Sequence, residues 1–254
     1  MIRHVMCEDE EGARAREVWA ALEDVMDPEL DESVTELNFV THADVDAGGR
    51  VRIGFRLPTY WCAANFSYLM ADDMRRAVVA LPWVTGVEVV LGEHMYAEKI
   101  NAGLAAGLSF QETFGDEADG GVEDVRRTFL IKAFQRRQAA LLRYLLDLGS
   151  ADEALAGMTR ESLEALQLDE EGVKLRKRYL ERRGIVGSEL VARLAFVDAQ
   201  GAPLTGAGLA RYVSSIRRVG VNAEFNGALC RGLLAVRFDL ETPLKTRARA
   251  AVAS

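Results

Sequence analysis

Cys62 is the residue of this 254-residue chain whose type and position most invite chemistry. It falls between a strand-like run ending at Leu57-Pro58 and a helical run starting near Ala63, which puts its side chain at a helix amino terminus. Unpaired N–H groups and the helix dipole at such a terminus favour a thiolate, lowering the thiol pKa and improving metal binding or nucleophilic attack. Thr59, three residues earlier, is spaced to hydrogen-bond the sulfur or the loop backbone. The bland alternative makes Cys62 a small buried hydrophobe, as free cysteines often are. Tyr60 and Trp61 have two readings as well: a partner-binding lip around the thiol, since aromatic residues are favoured at interface hot spots, or core packing beneath the helix. Glu93 and His94 follow a later strand and are candidates to approach the same loop. His94 is the weakest metal-ligand candidate, because a ligand histidine must first find compatible neighbours.

The other cysteines, Cys7 and Cys230, are far from Cys62 in sequence and no Cys-x-x-Cys pair exists. An odd count in a reducing compartment implies free thiols, not a disulfide framework. The histidines, His4, His42 and His94, have no metal-binding spacing, so a closed four-ligand zinc site within one chain is not expected. No Gly-x-x-x-x-Gly-Lys-Ser/Thr loop, Gly-x-Gly-x-x-Gly fingerprint, His-Glu-x-x-His or Gly-x-Ser-x-Gly elbow occurs, which removes the nucleotide-driven, dinucleotide-binding, zincin and α/β-hydrolase classes.

The elements that must position Cys62 follow from hydrophobic period. Residues 13–26 carry Val18, Leu22 and Val25 at helical spacing and stop at Asp27-Pro28, where proline disfavours helix in the residue before it. Residues 37–45 and 50–57 predict two strands joined by a Gly48-Gly49 turn. In the second, Val51, Ile53, Phe55 and Leu57 alternate with Arg50, Arg52, Gly54 and Arg56. From 63 to 81 the period becomes helical through Phe66, Leu69, Met70, Ala77, Val78 and Leu81, and 86–91 predicts a third strand. A further helix is expected over 96–108. This order describes a small α+β domain over residues 1–114, with a Gly- and acid-rich linker at 115–121.

Residues 122–254 predict a mostly helical second unit of no recognised family. Helices are expected over 122–148, after a Thr159 cap, and over 170–183. A small β-α-β-β tail then follows: a strand at 189–197, a helix through Leu209, Tyr212, Val213 and Ile216, and strands at 221–225 and 229–240 around an Asn226-Gly227 hairpin turn. The tail beyond Lys245 is expected to fray.

Composition is that of a globular protein, 49% hydrophobic and 28% charged. No apolar run approaches the roughly 18 residues that span a membrane, and the acidic start lacks signal-peptide order, so a cytoplasmic location is expected. The net charge of −8 is uneven: residues 1–120 hold 9 basic and 23 acidic residues, residues 121–254 hold 22 and 16. Such a swing implies either different partners or two halves that attract each other. Basic pairs such as Arg126-Arg127 and Arg136-Arg137 alternate with acids and aliphatics and match no nucleic-acid motif. A solvated face, or a docking surface for an acidic client, is expected there.

Several of these residues together carry a family likeness. The segment Val25-Met26-Asp27-Pro28-Glu29-Leu30, then Ser33-Val34 and Leu37-Asn38-Phe39-Val40, then Thr59, Cys62 and Gly86-Val87-Glu88-Val89-Val90, resembles the PaaD/SufT-like iron–sulfur cluster assembly family over about residues 14–100. The resemblance implies delivery or maturation of iron–sulfur clusters, with Cys62 as the metal-contacting thiolate, Asp27 as its acidic partner, and Glu29 fixing the loop. Ala63 stands where the family usually has proline, and Asn38 where it usually has glycine. The aromatic stretch from Leu57 to Phe66 is similar to the variant associated with soluble di-iron monooxygenases, which implies an oxygenase or reductase component as client.

One cysteine cannot hold an iron–sulfur cluster, which usually takes four protein ligands. A labile site is therefore expected, completed by a second subunit's Cys62 in a homodimer or by client ligands. The expected function is a non-enzymatic maturation factor handling transient iron or an iron–sulfur cluster without nucleotide, nucleic acid or membrane. Two alternatives remain at this stage: a metal-independent chaperone or scaffold relying on Tyr60 and Trp61, and a thiol nucleophile or redox switch at Cys62 with His94 as base.

Overall fold

A computed structural model of the chain describes residues 8–115, 122–187 and 192–240. The amino-terminal unit runs α1 (Glu8–Glu23), β1 (Val40–Val45), β2 (Arg50–Phe55), α2 (Ala64–Val79), β3 (Gly86–Leu91), α3 (Ala97–Ala105) and α4 (Phe110–Phe114). The chain is α+β, as expected. β2 is central in a three-stranded sheet, antiparallel to β1 and parallel to β3. The alternation read in the sequence puts Val51, Ile53 and Phe55 into the core, where α2 covers them with Met70, Met74 and Val78. The β1–β2 turn closes because Asp46 Oδ1 accepts from the N–H groups of Gly48 and Arg50, at 2.8 and 2.9 Å. Gly49 takes φ +81°, and a Cβ there would lie 2.6 Å from the Trp83 carbonyl.

Asn38 explains its own departure from glycine. Its φ is 58°, in the left-handed region, which asparagine tolerates better than most residues other than glycine. The turn that brings the chain into β1 is thereby kept.

The second unit contains α5 (Val122–Asp147), α6 (Asp152–Ala156), α7 (Arg160–Ala165), α8 (Glu170–Arg183) and α9 (Gly206–Phe238). Thr159 caps α7 through its hydroxyl, which accepts from the Ser162 N–H at 3.1 Å. A second apolar cluster forms around Phe134, Leu141, Leu145, Tyr179 and Phe196.

The expected β-α-β-β tail is not formed among the described residues. The segment 192–197 makes isolated bridges only, and its carbonyls are taken by buried side chains instead. Tyr179 donates to Ala195 O at 2.6 Å, Arg183 to Leu194 O and Ala195 O at 3.0 Å each, and Gln138 to Val197 O at 2.9 Å. Residues 188–191, within the expected strand, lie outside the described residues, as do Cys7, the tail beyond Lys245 and all of the expected linker except Gly115.

The two expected tail strands and their hairpin are instead the second half of α9. Leu209, Tyr212, Val213 and Ile216 continue at helical spacing through Gly220, Gly227, Cys230, Leu234 and Phe238, one stripe that passes straight through Asn226-Gly227. Tertiary contact outweighs the local turn preference here: Asn226 Nδ2 donates to Glu29 Oε1 at 2.9 Å, and a Cβ on Gly227 would meet Glu32 Oε1 at 3.3 Å. At about 1.5 Å per residue the helix is roughly 50 Å long. Its first half packs with Leu209 in the second cluster and its last turns with Leu234 in the first. Among the described residues no helix is long and apolar enough to cross a membrane.

Candidate functional site

Two loops and one helix frame the candidate site. The first loop, residues 27–32, follows α1. Asp27 is buried, and its Oδ1 accepts from the Glu29 and Leu30 N–H groups at 2.9 and 2.7 Å. Burial outweighs these bonds and pushes the Asp27 carboxyl up to about 6. Glu29 is the loop's tie to the second unit: its carbonyl accepts from Arg136 at 2.7 Å and its carboxylate from Asn226.

Asp31, at φ 55°, turns its buried carboxylate to α5 and α8. Arg137 donates to both oxygens, Nε to Oδ2 at 2.6 Å and Nη2 to Oδ1 at 2.8 Å, while Arg178 and Arg182 approach within 3.8 Å. Arg126 pairs with Asp73 at 2.6 Å and Arg231 with Glu32 at 2.6 Å. Part of the opposite charge of the two halves is thus paired across them.

The second loop carries Cys62, half-buried, one residue before the Ala63 that opens α2. Thr59 Oγ1 lies 3.1 Å from Cys62 Sγ, within hydrogen-bond reach of sulfur. Tyr60 is 51% exposed and Trp61 72%, so neither packs beneath α2.

His94 reaches this loop, but through backbone. Its Nδ1 accepts from the Tyr96 N–H at 3.1 Å, which leaves Nε2 to donate to the Cys62 carbonyl at 2.8 Å. Burial lowers its pKa and favours this neutral ring. With both nitrogens engaged, His94 holds the Cys62 loop and has no free nitrogen to offer a metal or a thiol. His42 is on β1, with Nδ1 beside Thr41 Oγ1 at 3.0 Å, remote from this loop in the sheet register.

The residue that sequence reasoning left unplaced is Cys230. It packs against the same apolar cluster as Cys62. Burial pushes its thiol up to about 11, and Asp27, Cys62 and Glu29 act on it in the same direction. Cys230 thus joins Cys62 on the edge of the first apolar cluster. Its signal was the helical stripe from Leu209 to Phe238, obscured by the Asn-Gly pair. Among the described residues no group of three His, Cys, Asp or Glu side chains is placed to hold a metal ion.

Comparison with known proteins sets this geometry in context. The family described as iron–sulfur cluster assembly protein matches residues 15–89. An iron–sulfur cluster carrier protein of Mycobacterium leprae (strain TN) is 34% identical over 74 residues, 29% of this chain and 19% of the relative. The Fe–S protein maturation auxiliary factor YitW of Bacillus subtilis (strain 168) is 32% identical over 79 residues, 31% of this chain and 76% of that protein. The chain thus spans about a fifth of the first relative's length and three quarters of the second's. A solved domain of unknown function, DUF59, from Bacillus anthracis is 20% identical, covering 40% of this chain and 98% of that one at a TM-score of 0.32. The family match takes in both Asp27-Pro28-Glu29 and the Thr59–Cys62 loop. Through its amino-terminal unit the chain belongs to the iron–sulfur cluster assembly protein family.

Proposed function

We propose that the protein is a non-enzymatic maturation factor that passes iron or an iron–sulfur cluster to a client metalloenzyme, a component of a multicomponent oxygenase. The observation that carries this reading is the Cys62 thiol, half-buried at the rim of the core, contacted by Thr59 and anchored through its carbonyl by His94. A soft thiolate is the ligand type that binds iron–sulfur species. Fewer than four protein ligands leave a cargo exchangeable, which suits transfer better than storage. Asp27 would contribute a carboxylate beside the thiol, and Glu29 holds the loop that carries it. The names of the two relatives, carrier and maturation factor, support the same assignment.

Tyr60 and Trp61 favour a second reading. Their exposure beside the thiol suits a docking lip for the client, and a scaffold that never touches metal would use them alone. Anaerobic isolation of tagged wild type and Cys62→Ala from the native host separates the two. Under the first reading an oxygenase component co-purifies and its iron content falls in the variant. Equal client iron with and without the thiol would leave only the scaffold.

A further inference from the structure

α9 has two unlike faces. On one side Leu209, Ile216 and Leu234 are buried. On the other Phe225, Leu229, Leu233 and Val236 stand in solvent, Phe225 68% and Val236 86% exposed. Phe225, Leu229, Gly232 and Val236 are spaced four, three and four apart, the seam on which one helix packs against another. Gly232 is a notch in it, since a Cβ added there would meet nothing within 4 Å. The seam runs for about 17 Å. It ends beside Arg237, which donates to Leu57 O at 3.2 Å, where the Cys62 loop begins, and to Glu93 O at 2.8 Å. A contiguous row of exposed apolar side chains, unlike scattered ones, marks an interaction surface.

The same face turns basic toward the amino terminus of the helix. Arg218 and Arg211 lie seven and fourteen residues before Phe225, about two and four turns back, and both are exposed. Among the described residues neither has an ion-pair partner. The arginines that tie the two units together are others. Charge therefore selects the occupant. A second copy in parallel register would set arginine against arginine, and in antiparallel register over the seam it would leave Arg211 and Arg218 unmatched. An anionic lipid surface would match the arginines. An interfacial helix, however, carries its basic residues on a polar face alongside its apolar one, whereas here they continue the apolar seam end to end. A helix with carboxylates at one end and bulky apolar side chains at the other matches both halves.

We propose that the outer face of α9 docks an acidic amphipathic helix of the client protein, with its apolar seam on residues 225–236 and its carboxylates on Arg211 and Arg218. This rests on the maturation reading above and deepens it by naming the chemistry of the partner. Docking there brings the client to the edge of the Cys62 loop. The apolar contacts supply the affinity, while the arginines set the direction in which the helix lies and speed the encounter.

The test uses the full-length chain and a fluorescein-labelled helical peptide of about 25 residues, with leucines on a heptad seam at one end and glutamates on it at the other. Fluorescence anisotropy follows binding at low salt. Leu229→Glu and Arg218→Glu each weaken it at least about tenfold. A peptide with lysines in place of the glutamates binds Arg218→Glu more tightly than wild type. Both substitutions are at exposed positions and leave the unfolding midpoint unchanged.

No binding, or binding that ignores both substitutions, overturns the proposal. So does a dimer in sedimentation that Leu229→Glu dissociates, which assigns the seam to a second copy. Flotation with phosphatidylglycerol vesicles that Leu229→Glu abolishes overturns it in favour of lipid. Metal binding that depends on Cys62, read anaerobically, is the same in wild type and Leu229→Glu, so a failure of docking is told apart from a failure of the maturation reading.

Discussion

The two loops that frame the site are held in opposite ways. The 27–32 loop is fixed from several sides: Arg136, Arg137 and Arg178 on α5 and α8 grip its carbonyls and carboxylates, and Asn226 and Arg231 on α9 do the same. The 59–62 loop is tied more lightly, by Thr59 to the sulfur, by His94 to the Cys62 carbonyl, and by the Met95 N–H to the Tyr60 carbonyl at 2.9 Å. Its aromatic side chains face solvent. Under the proposed function, the first loop would hold the Asp27 carboxylate in place and the second would present the Cys62 thiol to a client. The contrast suits a site that receives and releases cargo at one edge.

Breaking the fixed loop has the largest effect on stability. Asp31→Ala removes the buried carboxylate that Arg137 binds with two bonds and leaves it only the half-exposed Glu181, a loss of about 3 kcal/mol by denaturant unfolding. A loss under about 1 kcal/mol would mean that the ion cluster does not hold the loop, since that is the range of an exposed pair.

Asp27 sharpens the contrast through pH. Its folded pKa, about 6, lies above the unfolded value of 3.8, so ionisation is disfavoured in the native state. The resulting penalty is absent below pH 3.8, grows through the window up to 6, and is complete above it; stability from this group falls as pH rises. Asp27→Asn removes the penalty. The variant gains up to about 3 kcal/mol over wild type at pH 8, and the gain disappears by about pH 4. Parallel stability profiles for the two proteins would refute the burial account.

On the open loop the effects are smaller. His94→Ala leaves the Cys62 carbonyl without its donor and costs about 1–3 kcal/mol. Because burial depresses the His94 pKa, its neutral form adds stability above pH 6.5 that is lost as pH falls below it, and the variant lacks that acid sensitivity. Cys62 alkylation should accelerate in the same variant. Trp61→Ala changes stability by no more than about 0.5 kcal/mol, as expected of an exposed side chain, while reducing client capture. Unchanged capture would remove Trp61 from the docking lip.

The amino-terminal unit was legible because its signals agree with one another. The period of two in β2, the switch to a helical period in α2, and the breaks at Asp27-Pro28 and Leu57-Pro58 all describe one fold. Asn38 takes a left-handed turn there without glycine. The second unit was legible as helices up to Arg183. It failed at 192–197, where buried Tyr179, Arg183 and Gln138 supply the hydrogen bonds a strand partner would have supplied, and at Asn226-Gly227, whose local preference is for a turn. Distant groups, Glu29 and Glu32 among them, meet that pair in its helical form. For the same reason Cys230 could be counted but not placed: its position depends on where a 33-residue helix crosses the other unit. His94 could be read as a candidate to approach the Cys62 loop, yet only the structure shows that its two nitrogens serve the backbone there.

The central claim is that the Cys62 sulfur contacts the cargo. The most direct test loads purified wild type and Cys62→Ala anaerobically with iron and sulfide, then follows transfer to an apo iron–sulfur acceptor by the acceptor's own visible absorption. Circular dichroism and unfolding confirm that both chains are folded. The account predicts that wild type donates and Cys62→Ala does not, with equal stability. Equal transfer rates from the two proteins would contradict it.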